Sequence, residues 1–573
     1  MWGPIIKYKA QGGSLTLSVK DFYVQDQFSV MSIARRAQDG LPVYREPYFG
    51  TSDSVYPSEY YRLLGETAHL TGTSVLWAWN VVGFLVSVAM IGLAVFWAVS
   101  LAPGTRAWVL APLPFLLGTL YWWTSGDWLY FSGGGGVLWP AVASLYSPGS
   151  ETPGILLAGI ALILLQRALG AQGRRQLALA VGAGLATGLS LHLHANATVF
   201  CGVAVLLVLL WDHLLGEAPA RRRAVLGSGL LILAVVAAIA PAGGVVSRLG
   251  VLAVLITLAL ATDAAWRRQR GLLALGWAGA TVLASLPLSA RLAMQTLSGE
   301  GYFYVRQEST TRADTSLPLF AVFWMMLPLW ALAAIVIVRL VRDGPRATPG
   351  WAALLLGLTC ATVMLTAGGT LGAQGLEWHR FLIIGSVLTA MAAGPGLWLI
   401  LKDARPRERL PGWGVAALLA ASLPATIAFA VVQRNAVFSV LPQDVEAYDA
   451  IHLAAGDRLL LLDRCMLPGP IRVLTGSRVV MYNAGIAIPE HRDATDEALE
   501  AVRDGHLPSR RVLRQLGVGG FVTHTICGGV PSEEMKARFG EPAVRIPLRD
   551  AEKLGAPAGT SYELYLVPDG PVR

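Results

Sequence analysis

Charged residues are scarce in this sequence. They make up 14% of the 573 residues, whereas apolar residues make up 54%, and the mean hydropathy is +0.53. An ordinary soluble domain has a charged share of about 25% and cannot bury this much apolar surface around one core. The composition therefore excludes a soluble globular protein and indicates an integral membrane protein.

Cysteine is also scarce, since the whole chain has four, which excludes a disulfide-rich secreted scaffold. Cys201 and Cys360 lie inside apolar runs, where a thiol packs like a small hydrophobic group. Cys465 and Cys527 lie in the polar C-terminal part. These two could pair if that part faces an oxidising compartment, and the sequence leaves both states open.

Long apolar runs recur between residues 74 and 434, each long enough to cross about 30 Å of hydrocarbon as a helix. The predicted spans are 74–101, 107–124, 153–169, 176–193, 197–216, 224–241, 249–265, 271–289, 317–341, 350–372, 378–401 and 412–433. The sequence thus predicts a polytopic protein with about 12 visible spans, several of them with soft boundaries.

Basic residues cluster in alternate loops between these spans. The clusters are Arg174-Arg175, Arg221-Arg222-Arg223, Arg267-Arg268-Arg270, Arg339-Arg342-Arg346 and Lys402-Arg405-Arg407-Arg409. Cytoplasmic loops carry the excess of Lys and Arg, so this pattern places these loops in the cytoplasm and does not indicate a nucleic-acid-binding stripe. The parts that then lie outside the cytoplasm are 1–73, 125–152, 290–316, the link around Glu377 and everything after 434.

The first 70 residues lack the apolar segment of a cleavable signal peptide. An external N-terminal segment needs a preceding helix to export it, and none is visible ahead of residue 74. We therefore expect the natural chain to begin further upstream, with a first helix that brings the number of spans to about 13.

Three parts follow from this reading: an external N-terminal loop at 1–73, a multi-span domain at 74–434 and a soluble domain at 435–573. In the last part, short β-rich runs surround a helix-like stretch at 494–516, which is typical of a small α/β domain. The runs are Asp457–Asp463, Ile471–Leu474, Arg478–Tyr482 and Gly520–Thr523. The domain has no nucleophile-elbow, nucleotide or metal motif, so we expect it to bind an acceptor glycan or to stabilise the fold.

Residues 24–38 have helical spacing. Apolar side chains recur on one face, Arg35 and Arg36 are polar, and Asp26 lies near the predicted start, where the helix dipole favours a carboxylate. On periodicity alone, this pattern favours an interfacial helix with an acidic cap.

The N-terminal segment also carries an ordered set of motifs: Asp21 and Asp26, an amphipathic helix at 28–38, the turn Gly40-Leu-Pro42 and then Tyr56-Pro57. In this order and spacing, the chain resembles the GT-C superfamily, membrane glycosyltransferases that use polyprenyl-phosphate-linked sugars and build bacterial cell-envelope glycans. The resemblance covers essentially the whole chain, because that family has many spans after such a loop and often a periplasmic α/β domain. The missing first helix departs from the family.

The resemblance implies a polytopic α-helical protein of the GT-C type in the cell membrane, with an extracytoplasmic C-terminal α/β domain. It implies hexosyl or pentosyl transfer from a polyprenyl-phosphate sugar donor to a glycan or lipid acceptor of the envelope. Membrane lipids are further partners, and nucleic acid is not one. No cofactor is certain, and a divalent metal is compatible with the chemistry.

Glycosyl transfer from a phosphate to a hydroxyl needs a carboxylate that accepts the hydroxyl proton and cations that stabilise the departing phosphate. The resemblance implies Asp26 as the general base, with Asp21 second. The candidates for substrate binding are Arg35, Arg36, Arg291, Arg306, Glu377, His379 and Arg380. Arg380 opens an apolar span, so its charge either reaches the interface or faces a polar cavity that holds the donor phosphate.

Other polar groups point to no further chemistry. His192 and His194 lie two positions apart and point roughly 200° from each other on a helix, which argues against a shared metal ion.

Two alternative functions stay open. A transporter or flippase of lipid-linked substrates would need more ionisable groups within the spans, and a non-catalytic envelope scaffold could share the architecture.

Overall fold

The structure is a computed structural model of the chain. It describes residues 18–20, 24–54, 56–118, 120, 149–215, 264–298, 319–343, 350–370, 378–403, 406–432, 437–464, 466, 468–483, 485–525, 529–549, 557 and 559–568. Two compact units are present: a helical unit, Phe84–Asn435, and a mixed unit, which joins Trp2–Gly83 to Ala436–Arg573. The N-terminal and C-terminal parts, which the sequence divides into separate domains, thus contact each other within one unit.

Helices make up most of the described chain. They are α1 (Val24–Gln38), α2 (Glu59–Thr71), α3 (Val75–Leu101), α4 (Leu113–Leu116), α5 (Glu151–Leu169), α6 (Gly173–Leu193), α7 (Ala195–Leu215), α8 (Ala264–Ser298), α9 (Leu319–Asp343), α10 (Trp351–Thr370), α11 (Trp378–Asp403), α12 (Pro406–Val432), α13 (Pro442–Ala455), α14 (Pro468–Thr475), α15 (Arg492–Arg503), α16 (Arg510–Leu516) and α17 (Ser532–Phe539). The strands are β1 (Ser18–Lys20), β2 (Val437–Ser439), β3 (Leu459–Leu462), β4 (Val518–His524), β5 (Val544–Pro547) and β6 (Ser561–Leu566).

Within the described residues, eight helices are long and apolar enough to cross a membrane: α3, α5 to α9, α11 and α12. A ninth predicted span, 350–372, corresponds to α10, whose apolar part is shorter. The prediction of a polytopic membrane protein is therefore confirmed. The predicted span 224–241 and most of 249–265 lie outside the described residues.

The predicted span at 107–124 is interrupted in its described part. Ala107–Leu110 form a 3-10 turn, and α4 has only four residues. Pro112 and Pro114 explain the break, because proline has no backbone N–H to donate and its ring clashes with the preceding turn of a helix. A hydropathy window averages over these prolines and so predicts one continuous helix.

Polar contacts sort the helix ends of the helical unit into two sides. Arg167 near the end of α5 donates to Ser100 near the end of α3 at 2.9 Å, and Arg270 in α8 pairs with Asp212 near the end of α7 at 2.9 Å. At the opposite end, the first residue of α5 contacts the start of α11. These pairings agree with the alternation of basic loops in the sequence. The assignment of one side to the cytoplasm stays a prediction.

The mixed unit contains a four-stranded sheet of order β3-β4-β6-β5, in which β3 and β4 are parallel and the other pairs are antiparallel. Every residue of β3 and β4 is buried, which is typical of strands covered on both faces. The α/β prediction is confirmed, with two differences. Ile471–Leu474 lie in α14, where Pro468 and Pro470 suit the first helical turn. The helical stretch 494–516 breaks near Gly505, which has a positive φ of 82°.

The N-terminal segment supplies part of the core of this domain. Tyr48 packs in a buried cluster with Ile451 and Leu460, and Phe49 packs in a second one with Leu459 and Phe521. Strand β1 also pairs antiparallel with β2. The two ends of the chain therefore fold together as one hydrophobic unit.

Candidate active site

Helix α1 carries the predicted general base. The helix spans Val24–Gln38, which confirms the sequence prediction, so Asp26 is its third residue and lies in the first turn. A carboxylate is favoured there by the partial positive charge of the helix N-terminus. For Asp26 the structure describes the backbone alone, and Asp21 lies outside the described residues.

Helix α1 packs closely against α2. Met31 and Ile33 are buried, and Ser32 donates to the carbonyl of Phe28 at 2.8 Å. A Cβ placed on Gly65 of α2 would lie 2.0 Å from the carbonyl oxygen of Ala34, so only glycine permits this approach. Helix α1, whose first turn contains Asp26, is therefore closely packed within the mixed unit.

Arg35 directs its guanidinium at groups of the same unit. Its Nη1 donates to the carbonyls of Val473 and Leu474 at 3.2 and 2.6 Å, and its Nε pairs with Asp39 at 2.9 Å. These contacts attach the end of α1 to the end of α14. They favour a structural role for Arg35 over the predicted phosphate contact.

Arg36 is buried in the same region, together with Glu46 and Arg472. Its Nε donates to the carbonyl of Pro42 at 3.0 Å. Glu46 accepts backbone N–H bonds from Tyr48 at 2.9 Å and from Phe49. Burial raises the pKa of Glu46, although these bonds and the charge of Arg472 oppose that change.

Arg472 completes this charged cluster from the C-terminal domain. The side chain is 2% exposed, its Nε donates to the carbonyl of Pro47 at 2.8 Å, and its Nη1 donates to that of Gly476. Burial, followed by the charge of Arg36, lowers the pKa of Arg472 to about 10, so its guanidinium stays charged at neutral pH. The arrangement fixes the N-terminal loop on the domain, and sequence patterns alone give no sign of it.

In the helical unit, Arg380 pairs with a carboxylate that the sequence does not single out. Its Nη1 lies 2.9 Å from Oε2 of Glu151, the first residue of α5, and the two side chains are 36% and 16% exposed. The other carboxylate oxygen of Glu151 is buried, with no hydrogen-bond partner among the described residues. A charged pair at the ends of two apolar helices is unusual, which makes these two residues candidates for the functional site.

Glu151 escapes notice in the sequence because the predicted span starts only at residue 153. The signal that marks it is a carboxylate directly ahead of an apolar run, where it becomes the first residue of a helix. Its partner lies 229 positions away, so no local pattern connects the two residues.

The remaining predicted residues are dispersed or not described. Arg291 is an exposed residue of α8, and His379 lies next to Arg380 in α11, where only its backbone is described. Arg306 and Glu377 lie outside the described residues, as do Cys465 and Cys527, whose pairing stays a prediction.

The two histidines considered for a metal ion have different surroundings. Nε2 of His192 lies 2.9 Å from the carbonyl oxygen of Ala284, whereas the Cβ of His194 lies against Gly154. Across the described residues, no three His, Cys, Asp or Glu side chains converge as a metal site. We therefore derive no step through a metal ion.

No family model matches the chain, and no curated protein is significantly similar to it in sequence. Solved structures do match. The arabinofuranosyltransferase AftD from Mycobacteria superposes with a TM-score of 0.52 at 15% identity, covering 99% of this chain and 39% of AftD. ArnT from Cupriavidus metallidurans in the apo state gives 0.50 at 12% identity, covering 98% of both chains.

A third similar structure is the archaeal oligosaccharyltransferase AglB from Archaeoglobus fulgidus, solved with an inhibitory peptide and a dolichol-phosphate. It has a TM-score of 0.49 at 12% identity and covers 91% of this chain and 68% of AglB. The chain thus spans about two thirds of AglB, well under half of AftD and nearly all of ArnT. At these identities the likeness establishes the fold alone, and this chain shares the fold of AftD and ArnT.

Proposed function

We propose that this chain is a membrane glycosyltransferase. It moves a sugar from a polyprenyl-phosphate donor to a glycan or lipid acceptor of the cell envelope on the extracytoplasmic face. The observation that carries the proposal is the fold match with ArnT over 98% of both chains. A match along the whole length includes both the helical unit and the mixed unit, so it supports a shared architecture rather than a shared module.

The donor class is supported by what ArnT binds. The Cupriavidus protein has also been solved bound to undecaprenyl phosphate. The described part of this chain, which has the same fold, contains at least eight apolar helices. Such helices place the protein in the membrane, where a polyprenyl lipid is found. AftD is named as an arabinofuranosyltransferase, so a donor panel has to include pentoses as well as hexoses.

The reaction forms one bond and breaks one bond. The acceptor hydroxyl oxygen attacks the anomeric carbon of the sugar while its proton passes to a carboxylate, and the bond from that carbon to the phosphate oxygen breaks. The polyprenyl phosphate leaves with the electron pair, and attack from the opposite face inverts the anomeric configuration. A positioned carboxylate contributes about 10²- to 10⁴-fold as a general base.

We assign the carboxylate role to Asp26 and the phosphate role to Arg380. Asp26 is supported by its place in the first turn of the tightly packed helix α1. Arg380 is supported by its ion pair with Glu151, which orients the guanidinium at the ends of two membrane helices. A guanidinium has five N–H donors, and a charge-assisted contact with a phosphate oxygen is among the strong hydrogen bonds in proteins.

Arg35 and Arg36 are not part of this assignment, because their contacts are to backbone carbonyls, to Asp39 and to the buried cluster around Glu46. Their expected contribution is to hold the N-terminal loop. Loss of either side chain should therefore affect the stability of the protein more than the rate of sugar transfer.

The reaction class is tested with the purified chain in liposomes, supplied with polyprenyl-phosphate pentoses and hexoses and an envelope glycan extract. Mass spectrometry of the acceptor then follows sugar transfer. Glycosylated acceptor, absent without donor or protein, supports the proposal. Movement of lipid-linked sugar across the bilayer without any glycosylated product would contradict it and favour the flippase alternative.

A further inference from the structure

The C-terminal domain contains a pocket that the transfer reaction does not use. It encloses about 170 Å³ between α16, α17 and the chain after β6. An engineered cavity of about 150 Å³ holds a benzene ring, so this pocket has room for one six-membered ring. Its lining is Arg510, Leu513, Arg514, Val518, Arg538, Phe539, Val567 and Pro568.

Three of these lining residues are arginines, and none is acidic. Arg510 and Arg514 are exposed residues one turn apart on α16, and Arg538 is half-buried on α17. Arg538 is anchored, since its Nη2 donates to the carbonyl of Pro508 at 2.8 Å. Like charges brought together repel, and an anion between them relieves the repulsion.

The surroundings of Arg538 disfavour the charged form of its side chain. Burial, followed by the positive charge of Arg510, lowers the pKa of Arg538, and Glu534 on the same helix offsets this only in part. Arg510 and Arg538 line the same pocket, so an anion bound there lies beside both.

The rest of the lining is apolar and includes Phe539, Val567 and Pro568. The guanidinium of Arg538 lies 5.7 Å from the centre of the Phe539 ring. Charged groups beside aromatic and aliphatic groups suit a ligand with an anionic group on a ring that also has an apolar C–H face. A pyranose or furanose that carries a carboxylate or a phosphate has this chemistry.

We propose that this pocket binds an anionic sugar unit of the acceptor glycan, with the arginines on its carboxylate or phosphate and the apolar wall on its ring. Its role in holding an acceptor rests on the proposed function. The binding itself does not, because it requires no donor and no transfer.

The test is isothermal titration of the full-length chain in detergent with glucuronate, glucose 1-phosphate, inorganic phosphate and neutral glucose. The two sugar anions should bind, more weakly as salt is raised, and comparison of them identifies the preferred anion. Neutral glucose should not bind. The double variant Arg510→Gln, Arg514→Gln should weaken binding by about tenfold or more, as expected for loss of charge-assisted hydrogen bonds.

The matched control is Arg511→Gln, which removes an exposed arginine from the same helix outside the pocket. Affinity like that of the wild type in this variant supports the proposal. Three results would overturn it: equal losses in Arg511→Gln and the double variant, no loss in the double variant, or binding of inorganic phosphate without either sugar anion. If the sugar anions bind but no transfer is ever detected, the pocket stands and the proposed function fails.

Discussion

Replacement of Arg472 by methionine should destabilise the mixed unit. Methionine keeps the apolar stem but removes the guanidinium, which donates to the carbonyls of Pro47 and Gly476 in a site that is 2% exposed. A buried carbonyl without its partner costs about 1–3 kcal/mol. Removal of a buried charge returns part of that cost, so we expect a net loss of about 3 kcal/mol in the free energy of unfolding.

In a domain of 150–250 residues, each kcal/mol lowers the melting temperature by about 2–4 °C, so the expected shift is about 6–12 °C. Thermal unfolding of the purified chain, followed by tryptophan fluorescence, measures it. Hydrogen exchange adds a local signature. The amides of Tyr48 and Gly50, which donate to Glu46, should exchange faster in the variant, because the N-terminal loop loses its anchor to the C-terminal domain.

Arg503→Met is the control for this change. Arg503 pairs with Glu500 at 2.9 Å on the surface, where both side chains are about two thirds exposed, and such pairs contribute about 0–1 kcal/mol. If Arg472→Met melts within the small shift of the control, with unchanged exchange at the loop, then the buried cluster does not hold the N-terminal loop and the reasoning is wrong.

Three further predictions concern packing, pH and the ion pair. Gly65→Ala should destabilise by about 1–3 kcal/mol in thermal unfolding, because the new methyl group meets a backbone carbonyl of α1. The raised pKa of Glu46 contributes stability that is present at low pH and lost as pH rises through that pKa, so wild type should lose melting temperature relative to Glu46→Gln over that range. Arg380→Gln should slow transfer by about 10²- to 10³-fold. Glu151→Gln should slow it by about tenfold, because the guanidinium remains but loses its orientation, whereas Arg167→Gln, at the other end of α5, should not change it.

The membrane-spanning helices can be predicted from the sequence, because each needs a long apolar run whatever helices pack around it. The helices α3, α5 and α7 therefore begin and end within a few residues of their predicted bounds. The prediction fails at 107–124, where Pro112 and Pro114 break a run whose average hydropathy is high.

The contacts of the candidate site residues are harder to predict, because they join positions that are distant in the sequence. Arg35 looks like a phosphate ligand in the sequence, yet its partners Val473 and Leu474 lie more than 430 positions away. The partner of Glu151 is also distant, 229 positions away, so no local pattern connects the two residues. A local sequence pattern shows which residues have side chains suited to chemistry. The burial and hydrogen-bond partners of each side chain decide which of these residues have a structural role instead. The first turn of α1 is local, so the position of Asp26 in it was predictable.

The most direct test of the central claim is the rate of sugar transfer by Asp26→Asn beside Asp53→Asn. Asp53 is an exposed residue of the same N-terminal segment, paired with Arg45 at a loose 3.8 Å, so it controls for loss of a carboxylate. We expect Asp26→Asn to lose about 10²- to 10⁴-fold in rate with a melting temperature at most about 4 °C lower, and Asp53→Asn to transfer like the wild type. Transfer by a stable Asp26→Asn variant at the wild-type rate would contradict the account.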